Sequence, residues 1–135
     1  MSFIRSSTAI FLVLVAHAVG IAGVYWIFRW YDAPVHFLGG LAAGVLALDI
    51  WRFSVKSVEL RQKWLRIWML QFAFVIGIVS FIGIIWELHE YILDVWRDVG
   101  VLRQPSLRDT MSDFVMDLLG GCVAYGIFAN TYKKD

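Results

Sequence analysis

Charged residues are scarce in this chain: Asp, Glu, Lys and Arg make up 17% of its 135 residues, whereas 60% are hydrophobic and 16% aromatic. A soluble domain of this composition would be covered in apolar surface, so we expect a lipid environment. The net charge of +1 provides no concentrated basic face for phosphate groups, which argues against a nucleic-acid partner. The single cysteine, Cys122, has no disulfide partner within the chain and is expected to serve packing.

Long apolar runs are abundant instead. Four of them, at about 8–28, 33–51, 65–96 and 109–131, are each long enough to cross roughly 30 Å of hydrocarbon as an α-helix. The third is longer than needed, so it is expected to tilt or project from the bilayer. The sequence therefore predicts an all-α fold, an integral membrane four-helix bundle that occupies residues 1–135 as a single domain.

The first apolar run has features of a secretory signal, because Arg5 precedes it and Ala16-His17-Ala18 resembles a cleavage site. Its apolar character continues to Trp30, so we interpret it as a retained helix. With four spans, the termini and the 52–64 loop share one side, which holds eight Lys and Arg residues against four on the other. This excess predicts that both termini are cytoplasmic.

Acidic residues and one histidine occur inside three of the spans, where they are energetically costly. They are Asp32 and His36 in the second span, Glu87, Glu90 and Asp94 in the third, and Asp109, Asp113 and Asp117 in the fourth. The topology brings these helix ends to one side of the membrane. At about 1.5 Å per residue, His36, Glu90 and Asp113 each lie roughly 6 Å inside their helix ends, which predicts a shared polar layer near the outer face.

Small residues continue the same helical faces towards the membrane centre, as a helix interface requires. They are Gly40, Ala43 or Gly44, and Ala47 in the second span, Gly83, Ser80 and Ala73 or Gly77 in the third, and Gly120, Gly121 and Ala124 in the fourth. The first span contributes Ala9, Ala16, Gly20 and Gly23 to the packing. We therefore expect the acidic cluster to face protein rather than lipid.

Several carboxylates in one buried layer repel each other, so either some are protonated or a cation neutralises them. Asp, Glu and His on facing helices form oxygen-rich metal sites in bundle cores, which predicts one or two divalent metal ions. The predicted ligands are His36, Glu87, Glu90, Asp113 and Asp117, with Asp32, Asp94, Asp109 and Thr110 as supporting residues nearer the rim. A structural network of shared protons and hydrogen bonds is the alternative.

Other polar residues have simpler interpretations. His17 is expected to be a hydrogen-bonded packing residue, and His89 is rotated away from the face that holds Glu87 and Glu90. Asp109, three residues after Ser106, is more typical of a helix start than of a metal ligand. The tryptophans, Trp86 among them, are mostly expected in interfacial belts.

The pattern Asp-x3-His-x2-Gly-Gly, Trp-Glu-x2-Glu and Asp-Thr-x2-Asp-x3-Asp-x2-Gly, between Asp32 and Gly121, resembles that of the YjdF-like family of bacterial inner-membrane proteins. It resembles the VanZ-like membrane proteins more distantly. The YjdF-like resemblance places the family's polar positions on Asp32, His36, Glu87, Glu90, Asp109, Thr110, Asp113 and Asp117. It implies a bacterial inner-membrane location without a settled activity. Many relatives have more spans, which leaves a homo-oligomer or a reduced core open, and the VanZ-like association with glycopeptide resistance hints at envelope chemistry.

Three functions stay open at this point. The first is a metal-dependent enzyme that acts on lipid or lipid-linked envelope precursors, with His36 or Glu90 as the acid–base catalyst. The second is cation or proton translocation, which would require more polar groups across the other half of the membrane. The third is a non-catalytic scaffold or accessory subunit. Membrane lipid is the expected surrounding partner in each case.

Overall fold

The computed structural model describes residues 3–55, 64–97 and 106–129. Helix α1 (Ile4–Val19) continues through a π-helical turn, Gly20–Val24, into α2 (Tyr25–Ile27), a single helical turn. A 3₁₀ turn, Arg29–Tyr31, leads into α3 (Asp32–Val55), and α4 (Trp64–Arg97) and α5 (Leu107–Phe128) follow. The structure contains no strand within these described ranges.

The predicted all-α membrane fold is confirmed. Four helical stretches are long and apolar enough to cross a membrane: Ile4–Ile27, Arg29–Ser54, Ile67–Trp96 and Leu107–Phe128. The first begins at Ile4 rather than near residue 8, and α4 has 34 residues. At about 1.5 Å per residue α4 is about 51 Å long, which exceeds the hydrocarbon thickness and requires the expected tilt or projection. That the chain forms a single domain stays a prediction.

Helices α3 and α5 pack against each other backbone to backbone. A Cβ atom added to Gly40 would contact the backbone carbonyl of Asp117, and one added to Gly120 would contact that of Phe37. A Cβ on Gly44 would lie 2.7 Å from the Cβ of Ala124. The predicted interface of small residues is therefore confirmed for these two helices, and only glycine allows the observed approach.

The same prediction is wrong for Ala73 and Gly77 in α4, whereas Gly20 and Gly23 in the first span have local roles. Ala73 and Gly77 are exposed, because the buried face of α4 at this level holds Val75 and Val79, about half a helical turn away. A Cβ atom added to Gly20 would contact the ring of Tyr25, which lies in the same span. Gly23 has a φ of 150°, which L side chains rarely adopt, so it serves the backbone of the π-helical turn rather than helix packing.

The half of the bundle away from the acidic cluster is closed by an apolar core. Seven buried residues form it: Ala43, Ala47, Leu48, Val75, Val79, Tyr125 and Ala129. Tyr125 donates a hydrogen bond from its hydroxyl group to the backbone oxygen of Trp68 at 3.0 Å, which satisfies its polar end. The cluster around His36 thus lies at the end of the bundle opposite this apolar core.

Candidate metal centre

His36 occupies the centre of the acidic cluster, in the second turn of α3, and is 4% exposed. Its Nδ1 atom lies 3.5 Å from Oδ1 and 3.5 Å from Oδ2 of Asp117 on α5. Its Nε2 atom lies 3.8 Å from Oε1 of Glu87 on α4 and 3.9 Å from Oδ1 of Asp32 on α3. The two ring nitrogens therefore face different carboxylates, from three different helices.

The carboxylates around His36 form two sets of three potential ligands. One set combines His36 with Asp32 and Asp113, and the other combines it with Glu87 and Glu90. Within each set, one ligand atom from every residue lies within 4.8 Å of the others. Two adjacent or opposite ligands of one ion at about 2.0–2.6 Å are separated by roughly 3–5 Å, so each set has dimensions that suit a metal ion.

These residues are enclosed by the bundle. Glu87, Glu90 and Asp113 are 5%, 4% and 4% exposed, respectively. The Nε2 atom of His36 is buried and forms no hydrogen bond with any residue in the described ranges. A buried polar atom without a hydrogen bond costs roughly 1–3 kcal/mol, and coordination to a cation would remove that cost if this nitrogen carried the lone pair. The nitrogen and oxygen donors suit divalent metals such as zinc or manganese.

The five predicted ligands are all buried, but they do not form one undivided group. His36, Glu87, Glu90 and Asp113 belong to the sets described above, whereas Asp117 belongs to neither and faces Nδ1. Asp32, which the sequence predicts as a supporting residue, belongs to one set. A helical pattern identifies the face of each acid but not which nitrogen of His36 it approaches.

The other predicted supporting residues lie outside both sets. Asp94, Asp109 and Thr110 are half-buried. Ser106 is the N-cap of α5 and accepts a hydrogen bond through Oγ from the backbone N–H of Asp109 at 3.3 Å, as expected for this helix start.

A cavity of about 50 Å³ lies beside the cluster. His36 and Asp117 form its ionisable wall, and Val13, Val79 and Trp86 are among its apolar and aromatic lining. It is smaller than the roughly 150 Å³ cavity that holds a benzene ring, so it suits water rather than a lipid chain.

Trp86 also lines this cavity, although the sequence pattern assigns it to an interfacial belt. Its ring lies 4.6 Å from that of His17, centroid to centroid, in an edge-on arrangement. The Nδ1 atom of His17 lies 2.9 Å from the hydroxyl oxygen of Tyr25, so the prediction of a hydrogen-bonded packing residue is confirmed. The spacing of Trp86 and Gly83 on one face of α4 is the signal that indicates an inward-facing ring.

Gly83 and Gly39 allow Asp117 to reach the centre. A Cβ atom on Gly83 would lie 2.7 Å from Oδ2 of Asp117, and one on Gly39 would lie 3.7 Å from Oδ1. The small residues near the cluster thus make room for a carboxylate as well as for a neighbouring backbone.

Four apolar helices around a buried cluster of carboxylates and a histidine define an integral membrane protein with a polar interior site. The chain belongs to the family described as "Predicted membrane protein (DUF2238)", whose model matches residues 5–134. A comparison with curated proteins found no match, and a comparison with solved structures found none either.

Proposed function

We propose that this chain is a divalent-metal-binding membrane protein, with the ion held inside the bundle at the end that carries the acidic cluster. The observation that supports this most directly is the buried Nε2 atom of His36, which forms no hydrogen bond within the described ranges and lies 3.8 Å and 3.9 Å from two carboxylate oxygens. A divalent cation there would offset the repulsion between the acids and give Nε2 a partner for its lone pair.

A one-sided site is favoured over a translocation pathway by the apolar core beneath it. Ala47, Leu48 and Val75 are each 0% exposed, and they lie between the cluster and the opposite end of the bundle. An ion crossing this region would meet no carboxylate or imidazole ligand from these residues, and a charge in such surroundings is costly. The ion therefore binds and leaves on the side of the cluster.

Metal-dependent chemistry on lipid or envelope precursors is the activity we propose for this ion. Such a metal, held by His36 and the surrounding carboxylates, would polarise phosphoryl oxygens and activate water. Because the cavity beside His36 and Asp117 is small, a lipid-linked headgroup would approach from the rim, where Asp32, Asp94 and Asp109 are half-buried. An imidazole bound to metal through one nitrogen and hydrogen-bonded through the other has no site left for proton transfer. Glu90 has two carboxylate oxygens, so it would bind the ion through one and exchange a proton through the other, which makes it the candidate for the acid–base role.

The metal proposal is tested by elemental analysis of detergent-purified protein loaded with Mn²⁺ or Zn²⁺ and desalted. We expect stoichiometric metal in the unmodified protein and loss of that metal in His36→Gln. His89→Gln is the matched control, because His89 is exposed on α4 and should leave the metal content unchanged. Absence of metal from the unmodified protein, or equal loss in both variants, would overturn the proposal.

The catalytic part is tested separately. Metal-loaded protein is incubated with extracted envelope lipids and lipid-linked phosphates, and the products are followed by mass spectrometry. We expect turnover that depends on the metal and is lost in Glu90→Gln even at a metal concentration that saturates the variant. A protein that binds metal stoichiometrically but forms no product would instead be a metal-stabilised scaffold or accessory subunit.

A further inference from the structure

The two ring nitrogens of His36 differ in their surroundings. Asp117 presents both carboxylate oxygens to Nδ1, each at 3.5 Å. A carboxylate accepts hydrogen bonds and cannot donate one, so Asp117 favours a proton on Nδ1, and a cation on the other side of the ring takes the place of a second proton on Nε2. The lone pair then belongs to Nε2, which forms no hydrogen bond within the described ranges although His36 is 4% exposed.

The two sets of potential ligands share His36, and Nε2 is the ring nitrogen that lies near a carboxylate of each set. Nε2 is nearly equidistant from the two sides of the centre, at 3.8 Å from Glu87 on α4 and 3.9 Å from Asp32 on α3. Glu90 completes the set on the α4 side, and Asp113 of α5 completes the set on the other side. A single lone pair binds one metal ion, so His36 cannot serve both sets at once.

We propose that the centre binds one divalent ion at a time, which exchanges between the Glu87/Glu90 pair and the Asp32/Asp113 pair while Nε2 of His36 stays its common ligand. Asp117 is a positioning residue: it fixes the tautomer and the orientation of the ring and does not bind the ion. This inference rests on the proposed metal-binding function. It refines the sequence-based prediction, which places Asp117 among the ligands and allows two ions.

Mn²⁺ titration of the detergent-purified chain, followed by electron paramagnetic resonance, tests the inference. We expect one ion per chain and a ¹⁴N modulation from an imidazole ligand. Glu90→Gln and Asp113→Asn should each weaken binding but retain one ion and the ¹⁴N signal, because the other pair is intact. The double variant should lose the ion, and His36→Gln should lose both the ion and the ¹⁴N signal.

The role of Asp117 has its own readout. In Asp117→Asn we expect Mn²⁺ binding to weaken by about 10–100-fold, with one ion per chain and the ¹⁴N signal retained. In Zn²⁺-loaded, ¹⁵N-histidine-labelled protein, the His36 resonances should report a proton on Nδ1 and metal on Nε2, and this preference should decrease in the variant. Unchanged affinity together with an unchanged tautomer would overturn the positioning role.

The failure of this inference is distinguishable from that of the metal proposal. No Mn²⁺ bound to the unmodified chain would remove the metal site altogether. Two ions per chain, or loss of the ¹⁴N signal in only one of the single variants, would overturn the shared-nitrogen arrangement while leaving a metal site. Loss of all binding in either single variant, with its helical content and monodispersity preserved, would also overturn it.

Discussion

At the scale of single residues, the position of Asp117 depends on the absence of a side chain opposite it. Oδ2 of Asp117 lies where a Cβ atom on Gly83 would be 2.7 Å away, which is closer than real Cβ contacts. The carboxylate is thus held between α4 and the ring of His36. A methyl group at position 83 would move the carboxylate, whereas the bundle could remain intact because a side chain rather than backbone must yield.

We predict that Gly83→Ala weakens Mn²⁺ binding by about tenfold or more, because displaced partners of a ligating histidine typically cost 10–100-fold in metal affinity. The measurement is a titration of detergent-purified protein. Gly77→Ala is the matched control on the same helix, since a Cβ there would have nothing within 4 Å. Similar affinities in Gly83→Ala and the unmodified protein would contradict the prediction.

At the scale of helices, the contact between α3 and α5 decides whether the centre exists at all. His36 lies on α3, and Asp113 and Asp117 lie on α5, so their distances are set by how closely the two backbones approach. Gly120 is the glycine of α5 that lies closest to α3, because a Cβ there would contact the backbone oxygen of Phe37. Backbone atoms cannot rotate away, so a larger residue must separate the helices.

We therefore predict that Gly120→Ala lowers the free energy of unfolding by about 1–3 kcal/mol and also weakens metal binding. The matched control is Gly126→Ala on the same helix, where a Cβ would have nothing within 4 Å. The control should change stability by less than about 1 kcal/mol. Unfolding in mixed detergent, followed by circular dichroism, compares the two, and equal effects would contradict the proposed backbone contact.

The first span is attached differently from the other three. Of the 18 residues in the apolar stretch that would cross the membrane in this span, 11% are buried, against 50% in the span of α3. Most of the first span therefore faces the surroundings of the bundle. Two hydrogen bonds stabilise its bent end: Nδ1 of His17 with the hydroxyl of Tyr25, and the hydroxyl of Tyr31 with the backbone oxygen of Ala16 at 3.1 Å. The π-helical turn between His17 and Tyr25 makes these contacts compatible with a continuous span.

At the scale of the whole molecule, the polar and apolar ends of the bundle determine from which side an ion enters. The predicted orientation assigns the acidic end to the outer side and both termini to the cytoplasm. We expect a membrane-impermeant maleimide to label Gln104→Cys in spheroplasts, since residue 104 lies in the segment between α4 and α5. Ser57→Cys, in the segment between α3 and α4, should react only after permeabilisation.

Both labelling variants require the Cys122→Ser background, because Cys122 is the chain's single cysteine and is exposed on the bundle surface. The reverse labelling pattern would place the acidic cluster at the cytoplasmic face. It would then require an ion supply from the cytoplasm, while the arrangement of His36 and the surrounding acids would be unaffected.

Composition and periodicity are sufficient to predict the class of protein and much of the site. An apolar run of about 20 residues is long enough to cross the bilayer as an α-helix, and in lipid only a helix or a closed barrel satisfies all its backbone polar groups. The composition therefore predicts membrane helices. Helical spacing then identifies the acidic face of each span. The burial of His36, Glu87, Glu90, Asp113 and Asp117 follows from that spacing together with the shared side of the helix ends.

The sequence by itself determined that the chain is a helical membrane protein and that its acids and His36 meet at one end of the bundle, because hydrophobic length and helical period are local properties. Only the tertiary structure decided that Asp117 faces Nδ1 while Asp32 and Glu87 face Nε2. These contacts depend on the rotation, tilt and spacing of α3, α4 and α5 relative to one another, and no pattern within a single helix encodes them.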